Sequence, residues 1–261
     1  MNAFSLSPNP RLLYQTDNIK SSLHKLLYVV RERQGLTAIL GEPGLGKSSL
    51  MRMLHMELTS EPQYEVAFIV NPNFTRDFAF LKAICAEFSI SAKRSMLAQE
   101  AALQTRLVEL MAEDKNPVLL IDEAQRLSGS QLEVARTLLN FETNDQKLIQ
   151  VVLAAQLELR DKLKDKSKKA LRSRIFLPSI LSPLTLTEAI EMIDYRCKQA
   201  DVKNPFNRDF VKELFNESGG NPRELLKLCA AAFQMMELAG VSSLPVEAIP
   251  QLKQEASLMY D

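Results

Sequence analysis

Gly41, Gly44, Gly46, Lys47 and Ser48 fall at the spacing G-x-x-x-x-G-K-S in "LTAILGEPGLGKSSL", between an apolar run and a stretch of helical composition. Glycines at these positions let the backbone turn back so that successive N–H groups of Gly41, Glu42, Pro43, Gly44, Leu45 and Gly46 surround an anion, proline's missing donor aside, without side chains crowding it. A helix beginning at Lys47 adds about half a unit of positive partial charge, carried by amides that include those of Ser48 and Ser49. In this pattern Lys47 reaches the β- and γ-phosphates and the Ser48 hydroxyl is a magnesium ligand. The chemistry implied is capture of a nucleoside triphosphate with Mg2+.

A second constellation lies in "VLLIDEAQRL" (Val118 to Leu127). Four apolar residues predict a buried strand, and Asp122 emerges at its C-terminal edge, where open α/β sheets bind ligands. A carboxylate there can hold the metal directly or through water. Glu123, next in the chain, is placed to polarise a water aimed at the γ-phosphate, which implies hydrolysis rather than transfer to a second substrate. A nucleotide-dependent protein-binding switch without turnover is the other reading of the same loop.

The elements that must position these groups follow from periodicity. Apolar runs "LTAIL", "YEVAFIV", "PVLLID" and "LIQVVLAA" alternate with helical segments from Lys47 to Thr59, Phe78 to Phe88, Ser130 to Phe141 and Leu157 to Leu163. That alternation predicts a parallel sheet sandwiched by helices. A helix from Asp17 to Arg33 precedes it, after an extended lead-in over residues 1–16. Beyond "LSPLT" (Leu181 to Thr185) only helical periods remain, in "LTEAIEMIDYRCKQA", "NRDFVKELFNES" and "NPRELLKLCAAAFQMMEL". The expected division is an α/β nucleotide-binding domain with its lead-in over 1–182 and a small all-helical lid over 183–261, whose tail is a final lid helix or a partner peptide.

Composition narrows the function classes. The 261 residues are 46% hydrophobic and 25% charged, and the formal charge is zero, so any nucleic-acid contact must come from a local patch. Three widely spaced cysteines, Cys85, Cys197 and Cys229, predict buried reduced thiols, and two isolated histidines argue against zinc. Nothing approaches the ~20 apolar residues of a membrane span. The expectation is a soluble cytoplasmic protein.

From "NPRLLY" (Asn9 to Tyr14) to about Leu228 the chain resembles the AAA+ ATPases of the ExeA group, the general secretion pathway protein A type. The resemblance rests on "LLIDEAQRLSGSQLEVARTLLNFETNDQKLIQVVLAAQLELRDKL", "LRSRIFLPSILSPLT" and "ESGGNPREL", in that order. It implies the P-loop NTPase fold of the AAA+ class, with further roles for residues outside the loop. Gln156, just past "VVLAA", stands where the family places its first sensor, although "AAQ" replaces the more usual "GQ". Asn71 matches a polar residue that can restrain the catalytic glutamate, with a plain strand-ending Asn before Pro72 as the other reading. Arg174 corresponds to the arginine offered to a neighbouring subunit's γ-phosphate, with Arg172 the alternate, which makes a homo-oligomer the expected active form. Arg223 in "GNPREL" matches the second sensor, reaching from the lid to the nucleotide.

Three uses compete for such an ATPase. One is a DNA-loaded regulator that recruits a transposase-type partner, as in transposition-associated members, which the soluble architecture resembles. Another is assembly of a secretion apparatus, and a third is a switch acting on proteins alone. The basic run "RDKLKDKSKKALRSR", with Arg160, Lys162, Lys164, Lys166, Lys168, Lys169, Arg172 and Arg174, could track double-stranded DNA phosphates or be a solvated loop leading to the trans arginine.

Overall fold

The computed structural model describes residues 2–256. The chain divides into two compact units. One comprises residues 18–42 and 50–181; the other joins the chain up to Asp17, the loop Pro43–Ser49 and the chain from Ser182 onward.

The first unit is an α/β layer structure. Its strands are β1 (Leu36–Leu40), β2 (Tyr64–Ile69), β3 (Asn116–Ile121), β4 (Gln150–Ala155) and β5 (Ser179–Ile180). They pair in parallel in the order β2-β3-β4-β1-β5. Every residue of β1, β3 and β4 is buried, as expected for strands covered on both faces. Helices α1 (Asp17–Arg31), α2 (Lys47–Thr59), α3 (Asp77–Glu87), α4 (Met96–Ala112), α5 (Gly129–Leu138), α6 (Leu157–Lys164) and α7 (Lys169–Arg172) alternate with them. One apolar cluster joins Leu119, Ile121, Val151 and Leu153 from the strands to Phe80, Leu81, Leu107 and Leu138 from the helices.

Helix α4 and strand β5, like the four-residue α7, go beyond the sequence expectations. Helix α4 shares the β2–β3 crossover with α3; Ser95 caps it by accepting from the Ala98 N–H at 3.2 Å, and Leu103, Leu107 and Leu110 turn one face into the core. Strand β5 has only two residues, paired to Ile39 and Leu40 of β1, too short for any alternation to announce it.

The second unit is helical: α8 (Leu186–Gln199), α9 (Arg208–Ser218), α10 (Pro222–Ala239) and α11 (Ile249–Ala256). Capping explains its boundaries. Thr185 and Glu188 form a reciprocal capping box at α8, and Gly219 and Gly240 end α9 and α10 in the left-handed conformation. The tail expected as a lid helix or a partner peptide forms α11 as far as Ala256, and Leu252 joins the core of this unit. Its last residues, 257–261, lie outside the described part.

The lead-in departs from the expected division, because it packs with the helical unit rather than with the α/β unit. Phe4 lies 5.6 Å from Phe206 and 5.8 Å from Phe233, ring to ring. The buried Arg196 guanidinium donates to the carbonyls of Ala3 at 2.7 Å and Leu12 at 3.3 Å, and also to Ser5. Residues 2–16 carry too few apolar groups to form a core of their own, so they complete that of α8 and α10.

Cys85, Cys197 and Cys229 are buried and unpaired. Burial raises all three thiols above their ordinary value, Cys197 to about 11, so they stay protonated.

Arg196→Met leaves three backbone carbonyls without their donor. The expected result is a loss of about 2–4 kcal/mol of unfolding free energy. Urea titration measures it, and limited proteolysis should cut within the first dozen or so residues earlier than in the wild type.

Candidate functional site

In the α/β unit the candidate residues collect at one end of the sheet. Parallel pairing sets Leu40 beside Ala155 and Ile121 beside Leu153 and Ile69. Gly41 and Glu42 after β1, Gln156 after β4, Asp122 and Glu123 after β3, and Asn71 two residues past β2 therefore leave the sheet at its C-terminal edge. Asp122 is buried, at 3% exposure, and its N–H continues the ladder to the Ile69 carbonyl at 2.9 Å. One oxygen of its carboxylate accepts the Glu123 N–H at 2.9 Å.

Glu123 itself has φ 53° and ψ 34°, the left-handed region, which costs a non-glycine residue about 1–3 kcal/mol. That turn starts a short 3-10 segment, Ala124–Arg126. Its carboxylate accepts from the Gln125 side-chain amide at 2.6 Å. The amide oxygen of Gln125 in turn accepts the Gln156 backbone N–H at 3.1 Å. Asn71 does not touch Glu123: its amide oxygen takes Arg126 Nη1 at 3.0 Å. The 3-10 segment brings Gln125 to the Glu123 carboxylate and Arg126 to Asn71, which closes its strand before Pro72.

In the helical unit, the loop Pro43–Ser49 packs against the start of α10. Lys47 opens α2 and is buried at 6% exposure, with Ser48 and Ser49 on the same first turn. Asn221 caps α10, its amide oxygen accepting from the Arg223 and Glu224 N–H groups at 3.0 and 3.4 Å. The nitrogen of the same amide donates to the Pro43 carbonyl at 2.8 Å. Gly44 has φ +88°, and a Cβ built on it would overlap Asn221 Oδ1 and lie 2.9 Å from Arg223 Cβ. Arg223 therefore stands beside the loop, exposed on the first turn of α10.

The basic segment is largely occupied within the chain. The Lys162 ammonium donates to the carbonyls of Gln125 and Leu127, and that of Lys168 to Gly129 at 2.8 Å. Lys164 pairs with Asp161 at 2.7 Å. Arg174 is half-buried, with Nη1 on the Arg136 carbonyl at 3.1 Å; Arg172 is exposed and reaches the Leu163 carbonyl at 3.4 Å. Lys166 and Lys169 are exposed. The segment is thus more a set of local carbonyl caps than a free phosphate-tracking stripe.

Gln125, Arg126 and Asn221 escape the sequence reading, and Lys162 entered it only as part of the basic run. The only local sign of Asn221 is Asn before Pro at a helix start, and Gln125 has none. Among the described residues no group of three or more His, Cys, Asp or Glu could hold a metal ion, and no helix is long and apolar enough to cross a membrane.

Gly44→Ala should destabilise the protein by about 1–3 kcal/mol, from the positive φ and from the overlap with Asn221. Combined with Asn221→Ala, the loss should be smaller than the sum of the two single losses, so the changes are non-additive in denaturant unfolding. Strict additivity would mean that Asn221 does not set the requirement for glycine.

Comparison with known proteins fits this geometry. A family model described as "AAA domain" matches residues 30–163. General secretion pathway protein A of Aeromonas hydrophila is 34% identical over 233 residues, covering 88% of this chain; the chain spans 42% of that relative's length. The ORC2 protein of Aeropyrum pernix, solved in ADPNP-ADP complexes, superposes with a TM-score of 0.72 at 15% identity, over 99% of this chain and 72% of that one. The Drosophila ORC bound to DNA gives 0.70 at 18% identity, over 97% and 64%. With its parallel sheet, its glycine loop and its helical C-terminal region, the chain belongs to the AAA domain family of P-loop ATPases.

Proposed function

We propose that the protein hydrolyses ATP as a homo-oligomer and uses the cycle as a nucleotide-driven regulator on DNA, recruiting a transposase-type partner. The observation that carries hydrolysis is the Asp122–Glu123 turn: a glutamate held left-handed at the end of a buried strand and linked through the Gln125 amide to the Gln156 N–H. Such strain persists where surrounding contacts over-determine it, and it concentrates at functional sites.

The loop amides from Gly41 to Ser49 and the Lys47 ammonium neutralise the triphosphate. The donor set suits magnesium, since the Ser48 hydroxyl and the Asp122 carboxylate are hard oxygen ligands, too few to form a cage without phosphate and water. When bound, the metal supplies positive charge to the phosphates. Glu123 accepts a proton from the attacking water as its oxygen bonds to the γ-phosphorus. The bond from that phosphorus to the β–γ bridging oxygen breaks, and ADP leaves with the electron pair. Gln156 orients the water, and Arg223 steadies the nucleotide. Arg174 of a neighbouring copy, or Arg172, offsets charge on the transferring group. In this structure Nη1 of Arg174 donates to the Arg136 carbonyl, and a guanidinium has four further N–H donors for a neighbouring copy's γ-phosphate.

The DNA role draws on the likeness in fold to the Drosophila ORC solved bound to DNA. A second reading, assembly of a secretion apparatus, is favoured by the identity to general secretion pathway protein A.

Lys47→Ala should lose binding of a fluorescent ATP analogue. Glu123→Gln should bind it normally yet release phosphate at least about 100-fold more slowly. If Glu123→Gln turns over at the wild-type rate, the base is misassigned. Specific activity should rise with protein concentration in the wild type and stay near zero in Arg174→Ala. ATP-dependent binding to duplex DNA that weakens steeply with salt supports the DNA role, and indifference to DNA at low salt removes it.

A further inference from the structure

Gln125 is the residue around which the candidate base and the first sensor are organised. Its side-chain nitrogen is 2.6 Å from Glu123 Oε2, and its side-chain oxygen is 3.1 Å from the Gln156 backbone nitrogen. A carboxylate can only accept and an N–H can only donate, so a single orientation of the amide serves both. The neighbouring backbone is held as well: the Lys162 ammonium takes the carbonyls of Gln125 and Leu127, and the Arg126 N–H closes the turn onto the Glu123 carbonyl at 2.9 Å. The left-handed Glu123 has no other side-chain partner on its carboxylate among the described residues.

We propose that Gln125 is a positioning residue for ATP hydrolysis, fixing one carboxylate oxygen of Glu123 and locking it in register with the end of β4. The proposal rests on the ATPase reading above. An unrestrained glutamate side chain samples several rotamers, of which few point an oxygen at a γ-phosphate water. Binding one oxygen to Gln125 selects the rotamer and leaves the other oxygen for the water. Because the same amide holds the Gln156 N–H, a shift of the sensor is passed to the base. Gln125 touches neither nucleotide nor water in this scheme; it acts through Glu123.

The test is steady-state ATP hydrolysis by the full chain at protein concentrations that saturate specific activity, together with affinity for a fluorescent ATP analogue. Gln125→Met keeps the length of the side chain and loses both hydrogen bonds. It should lower kcat by about 10- to 100-fold, with KM and nucleotide affinity unchanged within about twofold. Gln125→Glu folds around the same volume but sets a carboxylate against a carboxylate, and kcat should fall at least as far. In the Glu123→Gln background, Gln125→Met should change the residual single-turnover rate by less than about twofold, since a residue acting through Glu123 has nothing left to position.

Wild-type kcat in either single variant overturns the proposal and leaves the ATPase reading standing. A loss in Gln125→Met that is matched by a falling melting temperature and repeated in full in the Glu123→Gln background marks a structural role only, and also overturns it. A wild-type chain that binds ATP without any turnover at saturating concentration removes the ATPase reading, and the proposal with it.

Discussion

The insertion of β4 between β1 and β3 governs the α/β unit. Strands joined by helical crossovers run parallel, so all their C-terminal ends meet one edge. With one strand between them, the ends of β1 and β3 stand about two strand spacings apart, or about 10 Å. The register pairs Leu40 with Ala155 and Leu153 with Ile121, so Gln156 leaves the sheet between Gly41 and the acidic pair. A one-residue slip in β4 would send Gln156 to the opposite face and bury a polar side chain against the core. At the start of β4 the buried Gln150 opposes that slip, because its side-chain oxygen accepts the Gly35 N–H just before β1 at 2.8 Å.

How much of this was legible in the sequence depends on range. Glycine spacing, the Lys-Ser pair, the apolar run ending in Asp122 and the helical periods of the C-terminal unit are local patterns, written within about ten residues. The partners of Gln125 and Asn221 are not, since Gln156 is 31 positions from Gln125 and Pro43 is 178 positions from Asn221. Contacts of that kind exist only once the sheet order and the packing of α10 are set. The lead-in illustrates the same point. Its low apolar content reads as an unpacked approach to α1, yet Phe4 and the carbonyls that Arg196 binds make it part of another core.

Charge is where local reading was most incomplete. Counting the cations of "RDKLKDKSKKALRSR" suggests a stripe facing solvent, whereas Lys162 and Lys168 turn inward to the carbonyls of Gln125, Leu127 and Gly129. Lysine suits this use, because its long apolar stem covers neighbouring surface while the ammonium reaches carbonyls at the end of a short 3-10 turn. The result ties α6, which follows Gln156 directly, to the segment that carries Glu123. Cations that a composition count assigns to a ligand serve here to hold the ends of β3 and β4 together.

Two neutral amides do the same kind of work at the places where charge is most concentrated. Asn221 gives its oxygen to the first N–H groups of α10 and its nitrogen to the loop carbonyl at Pro43; Gln125 gives its oxygen to the Gln156 N–H and its nitrogen to Glu123. Each is a two-ended tie whose ends demand opposite polarity. An acidic residue could keep the accepting end but would repel the partner at the other, and a lysine would reverse the fault. A charged tie would also alter the field beside the glycine loop or beside the Glu123 carboxylate, since in a low-dielectric setting one added charge acts over many ångströms. An amide fixes geometry while leaving net charge untouched. The demand for glycine at residue 44 follows from the same choice: Asn221 must approach the loop closely enough to hydrogen-bond its backbone, and only a residue without Cβ leaves room for it.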